Sequence, residues 1–366
     1  MTRSLPKLSA LPLPSEIRSR HLSDVNGLHM HVLEAGDHKD PTIVLLHGFP
    51  ELAYSWRKLM LPLANAGFHV VAPDQRGYGR TAGWKAGYKE DQTPFIFTNL
   101  VKDIVALVYA LGKTDVHTIV GHDFGSPIAA WCALIRPDVF RQVVLMSAPF
   151  AGPPAINRSN SRLHEGLFQL TPSRMHYQWY YGTPEANEHM LTCEEGLQQF
   201  LRAYYHVKSA DWAGNNPEPL ESWSAAELAK LPTYYVMETG KTMPETVRPF
   251  MPDSTPAWLT NAELEVYASE YQRTGFQGGL NWYRSSASTA GQDALALFTH
   301  KSIEVPAWFI AGKSDWGIYQ SPGSLDRMQS SVCSNFRGLH LVEGAGHWVQ
   351  QEKPEEVMES MREALT

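Results

Sequence analysis

The stretch Thr118-Ile119-Val120-Gly121-His122-Asp123-Phe124-Gly125-Ser126 limits this chain more than any other. A short apolar run meets a turn flanked by glycines and continues into a helical pattern over 126–136. Glycine at both flanks removes side chains that would crowd a strained backbone, so the turn should lift Asp123 out of the strand into a cleft. A strand feeding directly into a helix belongs in a layered α/β structure. The chemistry is constrained as well, because an Asp with a reference pKa of about 3.9 is already ionised at neutral pH and needs no base before it attacks. Such a carboxylate can displace a leaving group from a strained or activated saturated carbon. The product is an alkyl ester on the protein, which water must then cleave.

Other apolar runs agree with that architecture. Residues 42–46, 69–72, 118–120, 143–146 and 307–311 read as buried parallel strands, and 55–66, 100–111, 126–136 and 355–364 as amphipathic helices. The alternation predicts a doubly wound, mostly parallel sheet with its site in the loops after the strand C-termini. It stops between 148 and 300, where Tyr, Trp, Pro and Met accumulate and patterns such as 194–205 and 260–273 are helical. We read 148–300 as a helical cap inserted into a core domain formed by 1–147 and 301–366, since loop positions tolerate insertions.

With 366 residues, 43% of them hydrophobic and 19% charged, the chain can bury a large core. A net charge of −7 without a local Lys/Arg run argues against nucleic acid or an anionic membrane and for a small-molecule partner. Cys132, Cys193 and Cys333 are scattered and odd in number, which indicates neither a disulfide framework nor a zinc knuckle and fits a reducing compartment. Residues 1–19 carry Arg3 but are broken by Pro6, Pro12 and Pro14, leaving no apolar leader core, so the expected compartment is the cytoplasm.

Two further motifs supply partners for Asp123. His347, in Gly344-Ala345-Gly346-His347-Trp348, follows an expected strand at 339–342 and is suited to deprotonate water. Asp315 lies just beyond the strand 307–311 and would orient that histidine, which gives the chain order nucleophile, acid, histidine. After the strand 42–46, His47-Gly48-Phe49-Pro50 offers the Phe49 amide, and the elbow offers the Phe124 amide, as oxyanion-hole donors.

Together these segments resemble the epoxide hydrolases of the α/β-hydrolase fold, with matches spread from about Gly27 to Lys353. The resemblance implies two lid tyrosines that donate to the opening ring oxygen. Tyr283, in Gly279-Leu280-Asn281-Trp282-Tyr283-Arg284, matches closely, and Tyr177 more loosely, with Tyr180 and Tyr181 as rivals. It also implies no cofactor and no metal. Pro50, Trp179, Tyr180, Trp282 and Trp348 are expected around an apolar pocket for epoxides, aryl-bearing ones among them. Phe124 stands where tryptophan is common in the family, which changes the pocket's shape but not the chemistry.

Haloalkane dehalogenases share the carboxylate nucleophile and form the second reading, although Phe49 and Phe124 offer no side-chain N–H to a halide. A ligand-binding sensor on the same fold is a third. His29 and His31 alternate on an early strand and read as strand surface rather than a metal site. The loop Asp74-Gln75-Arg76-Gly77-Tyr78-Gly79 reads as scaffold because its glycines do not match a dinucleotide fingerprint, and His122 reads as structural.

Overall fold

The computed structural model describes residues 8–85, 87–156 and 163–365; Arg3 and Pro6 of the leader reading lie outside these. Eight strands form one sheet: β1 (Arg18–Val25), β2 (Leu28–Ala35), β3 (Thr42–Leu46), β4 (His69–Pro73), β5 (Thr118–His122), β6 (Val143–Met146), β9 (Ala307–Gly312) and β10 (Phe336–Val342). Their spatial order is β1-β2-β4-β3-β5-β6-β9-β10, with β1, β2 and β4 paired antiparallel and the remainder parallel. The order reverses around β3, so the loops leaving β3 and β5 border the crevice where sites form in such sheets.

Both faces of the sheet are covered. Along β3, Val44 and Leu46 enter one apolar cluster while Ile43 and Leu45 enter the other, the two-sided burial that makes parallel strands read as unbroken apolar runs. The helices Phe97–Ala110 and Gly125–Ile135 pack on the first face and Arg57–Asn65 and Pro354–Met361 on the second.

Between β6 and β9 the chain is mainly helical and includes Tyr177–Tyr181, Leu197–Lys208, Asn261–Thr274 and Gln277–Ala287. Asn261–Thr274 starts with a reciprocal capping box between Thr260 and Glu263. A short antiparallel ribbon, β7 (Arg174–His176) with β8 (Val236–Glu238), is an addition to the all-helical reading. The helix Gln277–Ala287 lies directly on the core loop after β4, because a Cβ on Gly278 would collide with the Gly77 backbone. No helix among the described residues is long and apolar enough to cross a membrane.

One other expectation needs correction. His31 is buried rather than at the strand surface, its Nδ1 2.7 Å from Asp74 Oδ2, while His29 is exposed. The early strand carrying them is β2, and its partner β1 is mostly polar and exposed, so it gave no apolar run to read.

Candidate active site

Asp123 sits at the tip of the β5 turn with φ +51°, a left-handed conformation that Asp tolerates better than most residues. The turn is possible only with small flanks. A Cβ on Gly121 would strike the Gly125 carbonyl, and one on Gly125 the Leu46 carbonyl. The Asp123 amide donates to the Met146 carbonyl at 3.2 Å, tying the turn to β6.

The carboxylate is held from two sides. Its Oδ1 accepts the Phe49 amide at 2.8 Å, and its Oδ2 lies 3.1 Å from His347 Nε2. The Phe124 amide enters the first turn of the helix Gly125–Ile135. His347 Nδ1 is 3.1 Å from both oxygens of Asp315, which also accepts the Gly317 amide at 2.6 Å and so caps the turn Trp316–Ile318. Both ring nitrogens of His347 thus face carboxylates.

That arrangement sets the charge. Burial disfavours the imidazolium, but Asp315 and Asp123 outweigh burial and raise the His347 pKa to about 9 against the opposing charge of Lys208. Burial likewise opposes the Asp123 anion, yet the His347 hydrogen bond and charge, with Lys208 and His122, hold it well below the usual carboxylate range. The histidine is therefore an imidazolium while Asp123 is ionised, in contrast to the neutral base suggested by a pKa near 6.5.

The lid brings two phenols to this carboxylate. Tyr177 and Tyr283 are both buried, with ring centroids 5.9 Å apart, and Tyr283 stands edge-on to Phe124 at 4.7 Å and to Phe49 at 5.6 Å. Burial pushes the Tyr177 phenol above its ordinary pKa and Asp123 adds to this; burial does the same for Tyr283, with Tyr177 and then Asp123 adding. Both remain protonated donors at neutral pH. Of the rivals, Tyr181 donates its hydroxyl proton to Tyr204 at 3.2 Å, and Tyr180 is turned to His189 Nδ1 at 3.4 Å.

The expected pocket wall is only partly in place. Trp179 borders a cavity of about 330 Å³ with Ala148, Pro149, His176 and Gln320, and Gln320 accepts the Tyr177 hydroxyl at 3.4 Å. Pro50 is buried and its carbonyl accepts Tyr205 at 2.9 Å. Tyr180 has its hydroxyl at His189 Nδ1 instead. The other two tryptophans lie behind the site: Trp282 donates to the Arg76 carbonyl at 2.8 Å and backs Phe124, and Trp348 donates to the Tyr205 carbonyl at 2.8 Å and packs on His347. Each indole had to bury its N–H with a partner, and the nearest acceptors were main-chain carbonyls.

Four residues that drew no sequence reading as functional complete the surroundings. His122 bridges Glu51 Oε2 and the His347 carbonyl, each at 2.6 Å, and Ser147 Oγ donates to the same carbonyl at 3.0 Å. Glu51 follows His47-Gly48-Phe49-Pro50 directly, so its place beside the motif was a readable signal. Lys208 is buried at the end of the helix Leu197–Lys208, in a stretch without a matched motif. Among the described residues no group of three or more His, Cys, Asp or Glu could hold a metal ion.

A family model for the alpha/beta hydrolase fold matches residues 41–176. Epoxide hydrolase A of Mycobacterium tuberculosis (strain ATCC 25618 / H37Rv) is 34% identical over 351 residues, covering 95% of this chain and 97% of that protein. The chain belongs to the epoxide hydrolase family. Epoxide hydrolase B of the same strain is 33% identical over 333 residues, 87% of this chain and 90% of that one. Among solved structures, an epoxide hydrolase from an endophytic Streptomyces superposes with a TM-score of 0.78 at 32% identity, covering 96% of each chain. Epoxide hydrolase A from Mycobacterium thermoresistibile gives 0.73 at 30% identity, with 95% and 97% covered. This epoxide hydrolase therefore has the mostly parallel core sheet with helical insertions that the sequence reading expected.

Proposed function

We propose that the chain converts apolar epoxides, aryl-bearing ones among them, to vicinal diols through an ester on Asp123. The carrying observation is that Asp123 is an anion anchored through one oxygen by Phe49 and through the other by His347, with the Tyr177 and Tyr283 phenols within its field. Asp123 attacks an epoxide carbon; the C–O bond opens as Tyr177 and Tyr283 hydrogen-bond the oxygen and one supplies its proton. The product is a hydroxyalkyl ester and a tyrosine awaiting reprotonation.

Esterification removes the Asp123 charge that helps keep His347 protonated. The imidazolium then gives up its proton, which restores the tyrosine phenol, and the neutral ring, oriented by Asp315, accepts one from the attacking water. As the ester C–O bond breaks, that proton passes to the departing diol oxygen, and the Asp123 carboxyl returns its own proton to His347. The oxyanion formed on the Asp123 carbonyl is met by the Phe49 amide, with the Phe124 amide as second donor, a kind of interaction worth roughly 3–4 kcal/mol per donor. Residues 148–300 serve as the cap that excludes bulk water, and the cytoplasm is the proposed compartment.

The indoles of Trp282 and Trp348 are committed to main-chain carbonyls, which favours this reading over halide release. His347→Gln mixed with styrene oxide should accumulate added mass on the Asp123 peptide. A variant that stays unmodified while the wild type makes diol would rule out the two-step scheme.

A further inference from the structure

The helix Leu197–Lys208 ends against the loop that carries His347. The His347 amide donates to the Lys208 carbonyl at 2.8 Å, and a Cβ on Gly346 would run into the Ser209 and Ala210 backbone. The Lys208 side chain is buried, 4% exposed, and its ammonium lies 5.0 Å from the Tyr235 ring centroid and 5.4 Å from those of Tyr204 and Trp348. Aromatic faces hold a cation by their quadrupole without neutralising it. Lys208 forms no ion pair among the described residues, yet it lies within the fields of Asp123, Asp315 and Glu51. A desolvated ammonium held this way is costly, and the hydrolytic scheme above gives it no part.

Charge accounting assigns one. The Glu51–His122 pair is neutral overall whichever partner holds the proton between them, because the His122 Nε2–H already donates to the His347 carbonyl and its Nδ1 shares a 2.6 Å hydrogen bond with Glu51. That leaves the carboxylates of Asp123 and Asp315 facing two basic groups, His347 and Lys208; burial works against the Lys208 ammonium and lowers its pKa, while Asp123, Asp315 and Glu51 support the charge, so two carboxylates are matched by two cations before reaction. Once Asp123 is an ester, one anion is gone. With Lys208 present, Asp315 is already balanced and the site is neutral only if His347 has lost its proton. Without Lys208, Asp315 would be balanced by keeping His347 as an imidazolium, which cannot take a proton from water.

We propose that Lys208 is a positioning residue of the ester-cleaving half-reaction: its aromatic-caged ammonium makes neutral His347 the favoured form once Asp123 is esterified. This rests on the two-step reading above. The groups facing Lys208 are Asp123 from the β5 turn, Asp315 after β9, Glu51 after β3, Tyr204 on its own helix and Tyr235 before β8; His347 also faces His122, at 5.2 Å between rings. The tyrosines are neutral, since burial raises both well above their ordinary pKa. The opposing balance is therefore set by the carboxylates and the two cations.

The test is rapid mixing of excess enzyme with styrene oxide across pH 5.5–10, following ester formation and ester loss separately. In Lys208→Met the acid limb of ester loss should move to higher pH by about one to two units, the size a single charge roughly 6–12 Å away would impose at an effective dielectric constant of about 20. At pH 7 ester loss should fall by roughly tenfold or more and the ester should accumulate, with the rate recovered in alkali. Lys208→Arg should leave the limb in place. Lys208→Gln keeps a polar head and is read in the same way should the methionine variant not fold. A limb that stays put in the uncharged variants, with the rate lowered equally at every pH, reduces Lys208 to a packing residue and overturns the proposal. A wild type that makes diol without any ester defeats the two-step reading itself.

Discussion

His122 Nε2 lies 2.6 Å from the main-chain carbonyl of His347, so the neighbour of Asp123 holds the loop that carries His347. Its other nitrogen meets Glu51, which burial would push up but whose carboxyl the charge and hydrogen bond of His122 hold down. Glu51 is further bonded to the Gly48 amide at 2.9 Å and to Gln350 at 2.9 Å, so one buried network spans the loops after β3, β5 and β10. His122→Phe should leave Glu51 buried without its partner and cost about 3–5 kcal/mol in urea unfolding. Pairing it with Glu51→Leu should return much of that stability, because removing both members of a buried pair is far cheaper than removing one. A fully additive double variant would contradict the coupling.

In the proposed reaction Tyr177 and Tyr283 protonate the opening ring, and Tyr180, turned to His189, does not. Tyr177→Phe and Tyr283→Phe should each slow ester formation by ~10²–10⁴, less if one phenol covers for the other, while Tyr180→Phe leaves it near wild type. Single-turnover burst rates check this; a large loss in Tyr180→Phe would reassign the donor.

The Asp123–His347 pair should mark the pH dependence of stability. The His347 pKa is raised from 6.5 to about 9 on folding, so its contribution is complete below pH 6.5 and is lost as pH rises to about 9. Asp123 is shifted down from 3.8, so its contribution is present above that value and is lost as pH falls below it. The stability gap between wild type and His347→Gln should therefore be widest between these limits and close towards pH 9.5. Unfolding midpoints measured over that range decide the matter, and a gap that stays constant would refute the ion pair.

A Cβ at Gly48 would overlap the Asp123 side chain, whereas one at Gly125 would meet the Leu46 carbonyl. Gly48→Ala should thus keep the fold while displacing the nucleophile, with kcat down about 10²-fold, as a misplacement near 1 Å typically costs. Gly125→Ala should fail at the level of folding, since backbone cannot yield as a side chain can. Circular dichroism melts set beside steady-state rates separate the two; an active Gly48→Ala would mean the carboxylate position is loosely held.

Much of the core was legible because its signals are local. Strand β3 buries both faces and so reads as an apolar run; the elbow needs small residues within a few positions of Asp123; Asp315 and His347 sit on short loops at strand ends. Each can be recognised from neighbours in the chain, and the order nucleophile, acid, histidine joins them. The ribbon β7–β8 was missed because three-residue strands carry too little periodicity to stand out from the surrounding helices.

The sequence by itself determined the layered sheet, the elbow and the carboxylate that the elbow carries. Only the tertiary structure decided which of Tyr177, Tyr180 and Tyr181 faces Asp123, that Trp282 and Trp348 stand behind the pocket, that His347 is charged at rest, and that Lys208 enters the site at all. Those properties come from groups brought together across tens to hundreds of residues, where packing sets the distance and burial sets the strength of each charge. Neither is written in the spacing of residues along the chain.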